Sequence, residues 1–337
     1  MLTWPHPDTD WGERLTEVYP VFAEIGRAVT EHESLLSVCC SRTHAAEVHS
    51  RLLAAGAATR RLLLCLAPSN DSWARDHGPL TTLAAGRATL HDFVFNGWGR
   101  KFAARLDSAI PGRLHQQQVF PGSKMRAHDF VLEGGAVETD GNGTLLATRS
   151  SIIGETRNPG HDQSMVERQL HERLGLKHFL WLTHGAISGD DTDGHIDTLA
   201  RFADPQTILY TTAPVGDRDH SGLAAMEQEL KGLRTPSGRH YRLLRLPFAG
   251  VHEDPTGRRL PASYANFLII NGAVLLPSYG VVQDSEAASI VQGAFPGRKV
   301  VAIDCSEIIR QNGSLHCLTM QFPAQLALRD GLDSPNA

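Results

Sequence analysis

Near the C-terminus, Ser314-Leu315-His316-Cys317-Leu318-Thr319 sets a lone thiol inside what reads as a short apolar strand. A cysteine reacts as its thiolate, a form it reaches at ordinary pH only with a base or a cation at hand. Upstream segments carry suitable groups. Asp76 lies in Trp73-Ala74-Arg75-Asp76-His77-Gly78-Pro79, and Glu133 in Leu132-Glu133-Gly134-Gly135. His195 and Asp197 end the run Gly189-Asp190-Asp191-Thr192-Asp193-Gly194-His195-Ile196-Asp197. All four fall at expected turn–strand junctions, where loops deliver functional groups. Cys39, Cys40, Cys65 and Cys305 have no such company and read as small hydrophobes. The five cysteines lack the spacing of a disulfide scaffold or zinc site, so reduced thiols are expected.

The aspartate-rich run is the most polar cluster in the chain, and its acids call for a cation. If His195 opens the strand that follows, Asp197 shares its face, because side chains alternate along a strand. A calcium loop fails on register: its first ligand would be Gly189 and its twelfth Ala200. A transition-metal site of His184, His195 and Asp197 is the competing arrangement, although no paired-histidine helix motif supports it. Asp76 has a plain alternative as the partner of Arg75 in a surface ion pair. Glu133 precedes two glycines that let the backbone bend and the carboxylate point inward.

The elements that must hold these groups follow a rhythm. Trp11, Leu15, Val18, Phe22, Ile25 and Val29 draw one apolar stripe, which predicts a helix from near Asp10. A second helix is expected over 43–55, with a buried strand at Leu62-Leu63-Leu64-Cys65-Leu66 behind it. Helix-then-strand pairs recur at 165–182, 223–246 and 287–303. Between them, 75–91, 132–148, 196–211, 264–276 and 308–319 read as hairpins. Their landmarks Asp76, Glu133, His195, Asn266 and Cys317 stand roughly 50 to 70 residues apart, enough for one strand-strand-helix-strand unit. Five degenerate blades around an axis would bring distant segments into one cleft; a doubly wound open sheet is the alternative.

With 41% hydrophobic and 20% charged residues the chain has material for a core and reads as an ordinary globular enzyme. A net charge of -5 and the lack of a basic stripe argue against a nucleic-acid partner. Neither a membrane span nor a signal-peptide pattern is visible, so a cytoplasmic location is expected.

Taken together, the segments around Asp76, Glu133, His195 and Cys317, with Ser263-Tyr264-Ala265-Asn266-Phe267, Phe95-Asn96-Gly97-Trp98-Gly99 and Leu2-Thr3-Trp4-Pro5-His6, resemble the agmatine deiminase and bacterial peptidylarginine deiminase-like family of the guanidino-group-modifying pentein superfamily. The likeness spans nearly the whole chain. It implies a single catalytic domain over 1–337, an α/β fold with five blades, and, by analogy, a homodimer. It also implies Cys317 as nucleophile, His195 as acid/base, Asp76 and Asp197 as guanidinium anchors, and no cofactor. Departures are Gln311-Asn312-Gly313-Ser314 in place of several glycines and an Asn, His77 after Asp76, and the tail Met320-Gln321-Phe322-Pro323.

These residue types suit the reaction. A guanidinium is planar, delocalised and always protonated, so attack at its carbon needs anchoring and a strong nucleophile. Two carboxylates fix its plane through forked hydrogen bonds and leave one face to the thiolate. Glu133 is expected to hold the His195 ring. Agmatine is the expected small cationic substrate, with free or peptide-linked arginine as the nearest rival. Trp98, Asp190, Asp193 and Asn266 are candidates for the rest of the ligand. A metal-dependent amidohydrolase and a non-catalytic guanidine binder are the readings from other classes.

Overall fold

In the computed structural model, residues 1–329 are described. Five three-stranded sheets follow one another along the described chain. In the first, β1 (Leu2–Thr3), β2 (Leu35–Cys39) and β3 (Leu62–Leu66) are all parallel, with α1 (Leu15–Thr30) and α2 (Arg42–Ala54) as crossovers. Ser41 caps α2 by accepting from the His44 amide at 3.2 Å. The second begins after the short α3 (Ala74–His77) as the hairpin β4 (Leu80–Ala84) and β5 (Arg87–Val94). The turn α4 (Gly97–Arg100) and helix α5 (Ile110–Gln116) then lead to β6 (Lys124–Val131), parallel to β5.

The third sheet repeats the plan: β7 (Glu138–Thr139) is antiparallel to β8 (Thr144–Thr148), and α6 (Arg149–Ile152) and α7 (Gln163–Leu174) cross to the parallel β9 (His178–Leu182). Asp162 opens α7 by accepting from the Met165 amide at 2.9 Å, and Gly175 closes it at φ 73°, a left-handed conformation that costs glycine least. In the fourth, β10 (Ala200–Asp204) and β11 (Thr207–Tyr210) form the hairpin, and α8 (His220–Gly232) crosses to β12 (Arg242–Arg245). The fifth holds β13 (Leu268–Ile270) and β14 (Ala273–Ser278), then α9 (Gln283–Ala294) and β15 (Lys299–Asp304). Four of the five sheets thus have the expected strand-strand-helix-strand build, in an α/β fold. The first has two parallel crossovers instead.

Two compact units divide the chain. The first comprises Met1–Gly134, Leu268–Leu275 and the stretch from Cys317; the second comprises Gly135–Phe267 and Leu276–His316. In the first, Leu36, Val38, Leu63 and Cys65 of the parallel strands pack with Leu90, Leu114, Phe120 and Met320. Its chain ends are tied: Leu2 pairs antiparallel with Thr319, and the Met320 amide donates to the Met1 carbonyl at 3.0 Å. In the second, Leu146, Leu182, Phe202 and Ile208 receive Leu223, Met226 and Leu230 of α8. Each such side chain, fully buried, contributes roughly 1.5–3 kcal/mol. No helix among the described residues is long and apolar enough to cross a membrane.

Three local expectations are corrected. Residues 308–319 do not form a hairpin: Ile308–Gln311 is a 3₁₀ turn and Thr319 pairs with Leu2. Cys317 accordingly sits in a turn rather than a strand. His195 precedes another 3₁₀ turn, Ile196–Thr198, and the strand begins only at Ala200, so strand alternation does not relate His195 to Asp197.

Candidate active site

In the first unit, Asp76 lies on α3, held at both ends of its turn. The Arg75 amide donates to the Cys317 carbonyl at 3.1 Å, and the Arg75 guanidinium reaches the side chains of Gln321 and Met320. Arg75 therefore ties α3 to the thiol-bearing turn, and both Arg75 and Asp76 are buried, not on the surface where the plain alternative put them. The approach to α3 is organised by carboxylates. Asp107 accepts from the Asn70 amide at 2.6 Å and the Asp71 amide at 3.2 Å; Asp71 accepts from the Ser72 amide at 2.7 Å and the Trp73 indole at 3.2 Å. Burial pushes the carboxyls of Asp71 and Asp107 up to about 7. Burial likewise drives the His77 imidazole down to about 3, so it is neutral where Asp76 needs no competing cation.

Trp98 completes this half. Its indole N–H donates to the Asp76 carboxylate at 2.9 Å, with both side chains buried. Gly97, Trp98, Gly99 and Arg100 all have positive φ, 69°, 54°, 85° and 69°. For Trp98 and Arg100 this left-handed backbone costs on the order of 1–2 kcal/mol each. The Asn96 side chain accepts from the Gly99 amide at 2.8 Å, and Phe95 and Phe102 meet the indole edge-on at 5.0 and 5.5 Å. Glu133 is fully buried just before Gly134, where an added Cβ would stand 2.2 Å from the Arg75 carbonyl oxygen. Cys317 is buried at 7% exposure.

In the second unit, His195 and Asp197 are both buried on the loop into β10. That loop is built by Asp190: its carboxylate accepts from the Gly194 amide at 2.7 Å and from the Thr192 hydroxyl at 2.5 Å, and Thr192 accepts from the His195 amide at 3.1 Å. Asp193 pairs with the buried Arg157 at 2.6 Å. These two acids, expected to meet a ligand's far end, are thus occupied in shaping the loop that carries His195. Asn266 is fully buried and donates to the Asp197 carbonyl at 3.2 Å; its own side-chain oxygen accepts from the His316 amide at 2.8 Å. The structure gives Asn266 a framework task.

His316 Nδ1 lies 2.8 Å from Asp197 Oδ2, and its Nε2 lies 3.1 Å from an Arg201 nitrogen. Arg201 in turn pairs with Glu138 at 2.6 Å and donates to the Ala265 and Phe267 carbonyls. Arg201 and Glu138 were not singled out from sequence. The available signal was an arginine inside Leu199-Ala200-Arg201-Phe202, where a charge in an apolar strand demands a buried partner. His184, the third member of the metal alternative, pairs with Glu229 at 3.0 Å and is 53% exposed, whereas His195 and Asp197 are buried. No group of three metal-ligating side chains occurs among the described residues.

Known proteins resemble this chain over nearly its whole length. A solved structure from Porphyromonas gingivalis, described as a "Putative Arginine Deiminase", superposes with a TM-score of 0.88 at 49% identity, covering 97% of this chain and 96% of that one. The C. jejuni agmatine deiminase with substrate bound, a cysteine-to-serine variant, gives a TM-score of 0.86 at 33% identity, covering 94% and 90%. The agmatine deiminase of Stutzerimonas stutzeri is 30% identical, covering 96% of this chain and 92% of its own length. The family model of Porphyromonas-type peptidyl-arginine deiminase matches residues 1–323. With a match of that extent, the chain belongs to the Porphyromonas-type peptidyl-arginine deiminase family.

Proposed function

We propose that this protein is an agmatine deiminase, a hydrolase that converts agmatine and water to N-carbamoylputrescine and ammonia. The observation that carries this reading is the end-to-end likeness to agmatine deiminases, one of them solved with its substrate. In the proposed reaction, Asp76 and Asp197 hold the guanidinium and the Cys317 thiolate attacks its carbon, forming a C–S bond. His195, oriented by Glu133, gives a proton to the leaving nitrogen, and the C–N bond breaks to release ammonia. His195 then takes a proton from water, which adds to the amidino carbon; the C–S bond breaks, the thiolate returns and the added hydroxyl gives its proton to the released ammonia, which leaves as ammonium. Atoms and charges balance without a cofactor. Trp98 supports Asp76, while Asp190, Asp193 and Asn266 act through the loop and framework that position His195 and Asp197.

The same proposal takes the five sheets as five blades of one propeller, acting as a single catalytic domain; its assigned span of 1–337 includes 330–337, outside the described residues. A cytoplasmic homodimer is the matching cellular form. One observation favours a second reading, deimination of free or peptide-linked arginine: the 49% identical structure is described as an arginine deiminase. Ammonia release from agmatine, free arginine and a peptide with C-terminal arginine separates the two. Agmatine is expected to have the highest kcat/KM, with Cys317→Ser and His195→Ala each losing about a thousandfold or more. Faster turnover of either arginine substrate transfers the assignment to it, and full activity in Cys317→Ser removes thiol chemistry altogether.

A further inference from the structure

His316 stands between two groups of fixed demand. Arg201 offers only donors and does not lose its proton, so the His316 Nε2 facing it at 3.1 Å must accept. The proton of the neutral ring is then on Nδ1, which donates to Asp197 Oδ2 at 2.8 Å. An imidazolium would set Nε2–H against Arg201 N–H, and the opposite tautomer would leave Nδ1 without a proton to give. Arg201 has no freedom to relieve this. It is buried, paired with Glu138, bonded to two carbonyls and seated 4.8 Å over the Phe267 ring. Glu138 is itself fixed, its other oxygen accepting from the Phe202 amide at 2.9 Å.

We propose that Arg201 is a positioning residue for the deimination above: it holds His316 neutral with its proton on Nδ1, and so lets the ring orient Asp197 without adding a cation of its own to it. An imidazolium at His316 would satisfy the Asp197 carboxylate internally. A neutral imidazole donates one hydrogen bond and leaves the negative charge for a guanidinium. The relay Glu138–Arg201–His316–Asp197 therefore prevents the protein's own histidine from competing with its substrate as the pH falls. Among its described hydrogen bonds, the His316 ring meets Asp197 from the 3₁₀ turn and Arg201 from β10, with Glu138 of β7 behind Arg201. This inference rests on the role proposed for Asp197.

Two measurements test it. In the ¹⁵N-histidine-labelled parent, the His316 signals are those missing from His316→Asn. They are expected to report a neutral Nδ1–H ring that does not titrate between about pH 5 and 8, through the ordinary histidine range; an imidazolium or an Nε2–H ring at pH 7 overturns the relay. This arm needs no turnover, so it stands apart from failure of the agmatine reading, which total absence of ammonia release by the parent would show. The second uses Arg201→Gln with Glu138→Gln, which leaves no buried carboxylate unpaired. Its KM for agmatine is expected to rise about tenfold or more below pH 6.5, with kcat changed less and KM near the parent value at pH 8. Adding His316→Asn, whose amide N–H cannot titrate, is expected to abolish that acid dependence. A loss that is equal at all pH values, or an acid limb that survives His316→Asn, overturns the proposal.

Discussion

At the scale of single residues, the Trp98–Asp76 hydrogen bond is a direct local constraint on the proposed guanidinium anchor. An indole can donate through one atom only, and here that atom meets a buried carboxylate at 2.9 Å. The sequence placed Trp98 in Asn96-Gly97-Trp98-Gly99 and assigned it to the ligand; the structure makes it a partner of the ligand's proposed anchor. Trp98→Phe preserves an aromatic ring against Phe95 and Phe102 but removes the donor. Loss of a hydrogen bond to a charged group costs about 1.5–3 kcal/mol, so kcat/KM for agmatine should fall roughly 10- to 100-fold while the melting temperature changes little. Steady-state kinetics beside a thermal melt check this; an unchanged kcat/KM would detach Trp98 from Asp76's role. Residues such as Arg201 and Glu138 escaped the sequence because their importance lies in pairing across β7 and β10, 63 positions apart.

At the scale of elements, periodic segments were legible and aperiodic ones were not. The buried stripe of α1, the capped α7 ending at Gly175, and the strand 62–66 follow from side-chain period and terminators alone. The turns holding Cys317 and His195 resisted the same reading. Leu315-His316-Cys317-Leu318 is apolar for burial in a turn, and Ile196-Asp197-Thr198 coils because Thr198 Oγ1 donates back to the His195 carbonyl at 2.9 Å. Close packing of aperiodic pieces is where substitution should be felt most. A Cβ at Gly134 would lie 2.2 Å from the Arg75 carbonyl oxygen and 3.1 Å from Met320 Cε, and the backbone atom cannot simply swing away. Gly134→Ala should cost about 1–3 kcal/mol, lower the melting temperature by a few degrees and reduce turnover well below the transition. Gly112→Ala, with its nearest neighbour 3.9 Å away inside α5, should be neutral or slightly stabilising. Equal melts and rates for the two variants would show that the Arg75–Gly134 approach is not under constraint.

At the scale of the molecule, titration divides by sign within the first unit. Burial lowers His77 to about 3 and His44 and His91 to about 4, so the native state refuses protons that the unfolded chain takes up below about pH 6.5. Their contribution to stability is whole above that pH and is lost as pH falls. Burial raises Asp71 and Asp107 to about 7 and Asp92 to about 6, so the native state keeps protons that the unfolded chain releases above about pH 4. Their contribution is whole below about pH 4 and is lost as pH rises to about 7. The two trends oppose each other between about pH 4 and 6.5, and only the carboxyls remain to act above it. Asp107→Asn, which keeps an oxygen for the Asn70 amide and has no proton to lose, should therefore raise the urea midpoint at pH 8 by the equivalent of about 1–2 kcal/mol, raise it less at pH 5 and leave it nearly unchanged at about pH 4. A variant that is less stable than the parent at pH 8 would mean that Asp107 serves the Asn70–Asp71 turn as a carboxylate, and that its charge is tolerated by the fold that positions Asp76.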